Sequence, residues 1–346
     1  MKFEELAKQF ALKNLPDSEV ELSGEAPWEV VEPYRASALA HIAEHLELPG
    51  FRPGKVPADV ALKKVGEIAV LEEAAGLFIK DFYPELVEVK KIDAVGRPEI
   101  KVTKLAPQNP VAFTMCTSVY PEVAVPKNWK FLHEKVALEE PKEATDEEVS
   151  QTLTQLQKSR AQKPPLEGAP DIVPDLNDEF AKSVGAFDSL MHLKEQVKKG
   201  IGEEKARAAR DARRGKLVDG LVSMTPLAVP RVFVESELDK IMAQMQEDLA
   251  RMGLKFDDYL KHTGKTADSI RQEFRDQAHK RAALQLILNK LAEEEKIAPD
   301  PEAVEVELKH ALAHFPDANP ELLRIHIETV LRNEKVLQKL EGTPEK

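Results

Sequence analysis

The sequence predicts an α+β N-terminal domain followed by an all-α C-terminal domain with helical arms, in a multidomain, elongated protein. The chain has 346 residues, more than one hydrophobic core usually organises, so two or three domains are expected. Apolar and polar residues alternate with a period of two only before residue 138. From about residue 145 the pattern is helical, and some predicted helices exceed the usual length of roughly 8–20 residues.

In the N-terminal part, period-two alternation indicates half-buried strands. The strand candidates are 20–22, 111–119 and 132–138. Between them the sequence predicts helices over 34–46 and 58–88. The second helix is expected to break near Gly66, because glycine costs a helix about 1 kcal/mol relative to alanine.

Capping signals mark the helices of the C-terminal part. Thr145 and Glu148 form a capping box, and Asp300 and Asn319 each precede a proline at a first helical position. Residues 162–175 are rich in proline and predict a linker. The predicted helices are 145–161, 188–224, 230–252, 267–296, 301–314 and 320–340.

Composition excludes several classes of protein. The chain carries 49 Lys and Arg against 61 Asp and Glu, and this net charge of −12 argues against a general nucleic-acid binder. The single Cys116 excludes an intramolecular disulfide and a cysteine-rich metal site. The sequence has no secretory signal and no apolar run approaching about 18 residues, so a cytoplasmic protein without a membrane partner is expected.

The most informative segment is the loop at residues 49–57, which places Phe51 beside Arg52 and close to Lys55. Its prolines fix φ angles, and its glycines permit a sharp reversal. A phenylalanine ring can enter an apolar pocket of a partner, while the cations meet phosphates or carboxylates at the rim. The alternative is a connecting loop whose phenylalanine folds back into the core of its own domain.

Residues 50–57, Gly-Phe-Arg-Pro-Gly-Lys-Val-Pro, resemble the ribosome-docking signature of trigger factor, the bacterial chaperone at the polypeptide exit tunnel. Other segments similar to this family are 93–98, 119–123, 176–181, 256–260 and 271–297. The resemblance implies a ribosome-binding domain over 1–125, a connecting strand, helix and linker over 126–175, and a helical substrate-binding domain over 176–346. The ribosome-binding residues it implies are Gly50, Phe51, Arg52, Pro53, Gly54 and Lys55.

Family members commonly carry a prolyl isomerase domain of FKBP type between these two parts. The linker at 162–175 holds 14 residues, far below the roughly 40 at which a domain becomes hard to stabilise. The resemblance therefore implies a holdase that works without ATP, with no catalytic residues, no cofactor and no enzymatic activity. The alternative is a peptidyl-prolyl isomerase and foldase like full-length members, which would need a catalytic β-domain.

The partners implied by the resemblance are the large ribosomal subunit near the exit tunnel and nascent or unfolded polypeptides. Contact with nucleic acid is expected only with ribosomal RNA, and self-association as a homodimer is expected off the ribosome. In this interpretation the protein binds nascent chains at the exit tunnel and delays their misfolding.

Client binding is predicted on the methionine-rich helix 230–252. Its apolar residues recur at spacings of three and four and form one stripe, and methionine side chains adapt to many apolar partners. The alternative is that this stripe is the seam between packed helices, and both interpretations can hold for different residues. The candidate client-binding residues are Met224, Leu238, Ile241, Met242, Met245, Leu249 and Met252.

Two further patterns are weaker. His41, Glu44 and His45 match the H-x-x-E-H zinc pattern, but a zinc site needs a third protein ligand, so surface histidines and no metal site are expected. His310 and His314 repeat this spacing without the carboxylate. Residues 198–216 carry 8 basic and 3 acidic side chains and suggest RNA binding as a third function, yet no aromatic residue interleaves them to stack a base. A solvated helix face is expected there.

Overall fold

The computed structural model describes residues 2–49, 51–52, 54–161 and 173–342. The chain divides into two compact units. One combines Met1–Ala124 with Pro226–Leu286, and the other combines Val125–Thr225 with Ile287–Lys346. The division into domains 1–125, 126–175 and 176–346 remains a prediction.

A four-stranded antiparallel sheet organises the N-terminal part, with the strand order β1-β2-β4-β3. Its strands are β1 (Ala11–Leu15), β2 (Glu19–Ala26), β3 (Ala94–Lys104) and β4 (Val111–Val119). Leu22 of β2 pairs with Met115 of β4, and both side chains are fully buried. Because alternate residues of β2 and β4 face the core, the strands predicted at 20–22 and 111–119 are confirmed.

Five helices accompany this sheet. They are α1 (Phe3–Gln9), α2 (Trp28–Val31), α3 (Tyr34–His45), α4 (Ala58–Val65) and α5 (Glu67–Val89). The buried Phe78 and Phe82 of α5 stack with ring centroids 5.3 Å apart and meet Phe113 of β4 edge-on. Gly66 has φ of +84°, which ends α4 and confirms the predicted break between two helices.

The described residues after Val119 contain helices and no strand. A 3-10 helix (Lys127–Phe131) comes first. It is followed by α6 (Leu132–Lys135), α7 (Asp146–Ser159), α8 (Asp178–Val184), α9 (Leu190–Met224), α10 (Arg231–Arg251), α11 (Phe256–Thr263), α12 (Ala267–Glu273), α13 (Arg275–Glu294), α14 (Pro301–His314) and α15 (Pro320–Leu340). An α+β N-terminal part followed by a mostly helical C-terminal part confirms the predicted fold class.

Two predicted elements need correction. The strand predicted at 132–138 is wrong, because residues 127–135 form helical turns. Trp129 and Leu132, three residues apart, fall on one side of a helical turn. Trp129 is buried, and Leu132 packs directly against Gly220 of α9. The single helix predicted over 267–296 is two helices, α12 and α13, interrupted at Phe274.

The capping box that begins α7 is present and carries a further ion pair. The Thr145 N–H donates to Glu148 Oε2 (2.8 Å), and the Glu148 N–H donates to Thr145 Oγ1 (3.3 Å). Lys205 Nζ of α9 donates to the same Glu148 Oε2 (2.7 Å). The Lys205 hydrogen bond first, and the Thr145 N–H second, lower the Glu148 pKa from 4.5 to about 2.

This contact predicts a pH dependence of stability. Because the Glu148 pKa is depressed in the folded state, its stabilising effect is complete above pH 4.5 and is lost as pH falls toward 2. Glu148→Gln is therefore expected to weaken the dependence of the melting temperature on pH in this acidic window. Glu147→Gln is the matched control, since the Glu147 carboxylate has no hydrogen bond or ion pair within the described residues. Equal pH profiles for both variants would contradict the assignment.

Candidate functional site

The 49–57 loop connects α3 to α4 and presents Phe51 to solvent. The Phe51 side chain is 41% exposed, and this residue belongs to none of the buried clusters of the N-terminal part. The alternative in which its ring folds back into the core is therefore not the arrangement observed. Gly50 and Pro53, two of the predicted ribosome-binding residues, lie outside the described residues.

The base of the 49–57 loop is fixed by packing and by backbone hydrogen bonds. Val56 is buried with Ala43 of α3 and Ala61 of α4, and Leu46 and Leu48 pack against this cluster. The Phe51 N–H donates to the Leu48 carbonyl (3.1 Å), and the Lys55 N–H donates to the Arg52 carbonyl (3.0 Å). The loop therefore presents its tip from a supported base.

The backbone conformation at position 54 of the 49–57 loop requires a glycine. The φ of Gly54 is +73°, in the left-handed region that side chains rarely adopt. Arg52 follows Phe51 directly, Lys55 lies four residues after it, and both cations are exposed. Within the described part of the chain neither side chain forms an ion pair, so both charges remain available to an anionic partner.

The predicted client-binding residues fall into two groups in the structure. Leu238, Ile241, Met242 and Leu249 of α10 are buried. Met224 at the end of α9 and Met245 of α10 are half-buried, and Met252 is 66% exposed. Leu238 and Met242 therefore lie on the packing side of α10. The accessible apolar surface is at its C-terminal end.

A cleft with a volume of about 350 Å³ opens at this end of α10, and we call it the α10 cleft. Its lining residues are Ile241, Gln244, Met245, Asp248, Leu249, Met252, Phe274, Gln277 and Arg281. Phe274 lies at the junction of α12 and α13, and Gln277 and Arg281 lie on α13. Sequence reasoning did not anticipate these three residues, because the α10 stripe carries no information about which later helix packs beside it.

Charged side chains hold α12 and α13 against α10. Arg271 Nη2 donates to Glu235 Oε2 (2.8 Å), and Arg271 Nη1 donates to Asp239 Oδ1 (2.6 Å). Arg275 Nη1 donates to the other oxygen of Glu235 (3.1 Å). The Arg271 guanidinium is the main cause of a lowered Glu235 pKa. These contacts lie N-terminal to the α10 cleft and fix the helices that form its walls.

The basic segment 198–216 is largely engaged within its own unit. Lys205 pairs with Glu148, Arg214 pairs with Glu334 and Glu341, and Lys216 pairs with Glu139. Arg213 donates to the backbone carbonyls of Val136, His133 and Glu341. Lys198 also pairs with Asp146, so five of the eight cations serve tertiary contacts, which weakens the RNA-binding alternative.

The described residues contain no group of three or more His, Cys, Asp and Glu side chains that could hold a metal ion. Among the same residues, no helix combines the length and apolar character that crossing a membrane requires.

Family comparisons match both parts of the chain. Residues 8–156 match the family model described as "Bacterial trigger factor protein (TF)", and residues 189–341 match the one described as "Bacterial trigger factor protein (TF) C-terminus". The two matches cover most of the chain and leave 157–188 between them.

Individual proteins similar to the chain agree with these matches. The trigger factor of Halothermothrix orenii is 23% identical over 91% of this chain and 92% of its own length. That of Carboxydothermus hydrogenoformans is 24% identical over 86% of this chain and 88% of its own length. A solved structure reported as "Promiscuous Substrate Recognition in Folding and Assembly Activities of the Trigger Factor Chaperone" has a similar fold. Its TM-score is 0.50 at 18% identity, over 96% of this chain and 99% of that one.

Proposed function

Since the chain belongs to the trigger factor family of ribosome-associated chaperones, we propose that it is an ATP-independent holdase that docks through its 49–57 loop. It binds nascent polypeptides at the exit tunnel and delays their misfolding. Its location is the cytoplasm, and it self-associates as a homodimer when it is not on the ribosome.

The observation that supports the docking assignment is the exposed Phe51, followed in the sequence by the two available cations Arg52 and Lys55 on a supported loop. An exposed aromatic ring contributes little to the stability of its own domain, and burying it in an apolar pocket of a partner favours binding. The large ribosomal subunit is rich in phosphate, to which Arg52 and Lys55 bind by charge-assisted hydrogen bonds. The chain as a whole carries a net charge of −12 and is repelled by phosphate. The cations of the 49–57 loop therefore also orient the protein, because they favour approach to the ribosome with this loop first.

The α10 cleft supports the proposed client site. Met245 and Met252 are flexible and polarisable, and Phe274 adds an aromatic wall, so the cleft accepts apolar side chains of many shapes. Asp248 and Arg281 at the same cleft offer hydrogen-bonding groups to a client backbone. Binding at several weak apolar surfaces raises residence time by avidity and requires no chemical step.

The absence of isomerase activity is the second part of the proposal. Residues 157–188 lie between the two family matches. This stretch is shorter than the roughly 40 residues below which a domain usually needs disulfides, a metal or oligomerisation to be stable. Part of this stretch already has a structural role, because Phe180 of α8 is buried in a cluster with Val149, Leu153 and Leu193.

Two assays on one preparation of the full chain test this function. Suppression of the aggregation of an unfolding apolar client should rise with chaperone concentration and should not change when ATP is added. Prolyl isomerisation in a tetrapeptide should proceed at its uncatalysed rate, which takes tens to hundreds of seconds and so makes weak catalysis visible. A full-length trigger factor with its isomerase domain is the positive control. Acceleration that copurifies with the chain would refute the second part.

A further inference from the structure

Two histidines near the end of α3 are arranged as a metal-binding pair. His41 and His45 lie one turn apart, and their ring centroids are separated by 4.6 Å. A single ion bonded to one nitrogen of each ring requires ring centres closer than about 6 Å, given metal–nitrogen bonds of roughly 2.1 Å. The centroid separation of this pair is therefore compatible with one ion shared by both rings.

An acceptor oxygen lies beside the same nitrogen of each ring. His41 Nδ1 lies 2.8 Å from Glu73 Oε1 of α5, and His45 Nδ1 lies 2.9 Å from the His41 carbonyl oxygen. An ionised carboxylate and a carbonyl can only accept, so the neutral form of each ring carries its proton on Nδ1. In the neutral rings, both Nε2 atoms are then left with a free lone pair.

These partners are the ones that metal-binding histidines usually have. A ligating imidazole donates its second N–H to a carboxylate or a backbone carbonyl, which fixes the ring and raises its basicity. Here His41 lies beside a carboxylate, that of Glu73, and His45 lies beside a backbone carbonyl, that of His41. Both rings are exposed, with the His41 side chain at 53%, so an ion has access and water can complete its coordination.

The second histidine pair of the chain lacks this arrangement. His310 and His314 of α14 have the same sequence spacing, and their centroids are 5.0 Å apart. Within the described residues, neither of these rings has a hydrogen bond to an acceptor. The sequence spacing is therefore shared by both pairs, whereas the two Nδ1 acceptors distinguish the pair on α3.

We propose that His41 and His45 bind one divalent transition-metal ion through their Nε2 atoms, with water in place of the third protein ligand that structural and catalytic zinc sites have, and with Glu73 positioning the His41 ring. Imidazole ligands suit zinc, nickel and copper. The Glu44 carboxylate, although it completes the H-x-x-E-H pattern, has no hydrogen bond or ion pair within the described part of the chain and takes no part. The bound ion bridges the last turn of α3, from which the 49–57 loop departs.

The test is a calorimetric titration of the untagged, metal-free full chain with Zn²⁺ alone. His41→Gln with His45→Gln should abolish the tightest site, and His310→Gln with His314→Gln should retain it. Glu73→Ala should weaken binding by about tenfold or more, as loss of such a supporting group does elsewhere. Glu44→Ala is the matched carboxylate control and should leave the affinity unchanged. Zn²⁺ should also raise the melting temperature of wild type, because it binds the folded helix.

Three results would overturn the proposal. They are no zinc binding by wild type, an unaffected tightest site in the variant without His41 and His45, and equal effects of Glu44→Ala and Glu73→Ala. Circular dichroism in the presence of a chelator verifies that each variant is folded. The replaced histidines are exposed and glutamine is a good helix former, so α3 should persist.

Discussion

Replacing Phe51, Arg52 and Lys55 together by alanine is expected to abolish cosedimentation with ribosomes. An anchoring aromatic or arginine commonly contributes about 2 kcal/mol or more to binding, so the triple change should weaken affinity by at least about 100-fold. Phe51 is exposed and the loop base rests on Val56, so the free energy of unfolding should change by only about 0.5 kcal/mol.

The chain offers a matched control for this variant. Lys63, Lys64 and Ile68 are also two cations and one exposed apolar residue on the N-terminal part, and Ile68 is 68% exposed. Their replacement by alanine makes the same change in charge and removes a similar apolar side chain. Equal loss of ribosome binding by both triple variants would mean that general charge drives the interaction. Unchanged binding by the loop variant would refute the docking assignment directly.

The second large effect separates the packing side of α10 from the side proposed to bind clients. Leu238 is 1% exposed, so Leu238→Lys buries a charge without a partner and should destabilise the protein by several kcal/mol, about the cost of a desolvated polar group. Met252→Lys places the same charge on an exposed side chain at the C-cap of α10, where a cation is favourable. Denaturant unfolding should therefore distinguish the two variants clearly.

Client protection should respond in a different way. Met252→Lys is expected to weaken aggregation suppression modestly at unchanged stability, because several weak sites share the client. Adding Met245→Lys should weaken it much more, since both side chains line the α10 cleft. Full protection by the stable double variant would move the client site away from this cleft. A large loss of stability in Met252→Lys would contradict its exposed position.

Elements with strong local signals are the ones that the sequence predicts well. Asp300 and Asn319 each cap a helix whose first residue is proline, and both helices begin where these signals place them. Strand β4 alternates cleanly because one face meets the core. By contrast, β3 is an edge strand that is exposed over most of its length and includes Gly96 and Pro98. Strand β3 forms because its backbone pairs with β4. Glycine and proline are depleted in strands, so the first half of β3 does not predict a strand from its sequence.

The candidate sites follow the same distinction. The 49–57 loop is contiguous, so its prolines, glycines and cations are visible together, and the exposure of Phe51 matches the predicted protrusion. The α10 cleft is made by residues from separate helices, and the period of one helix does not reveal which neighbour covers it. That is why Leu238 and Met252 belong to one stripe in the sequence but differ in burial in the structure.

The central claim is that one chain docks through the 49–57 loop and receives the nascent polypeptide in the α10 cleft. Its most direct test places a photo-crosslinking residue at Met252 and adds the protein to ribosomes stalled with an apolar nascent chain. The account predicts a crosslink to the nascent chain that is lost when Phe51, Arg52 and Lys55 are replaced by alanine. A crosslink that persists in that variant, or the absence of any crosslink while the protein remains bound to the ribosome, would contradict it.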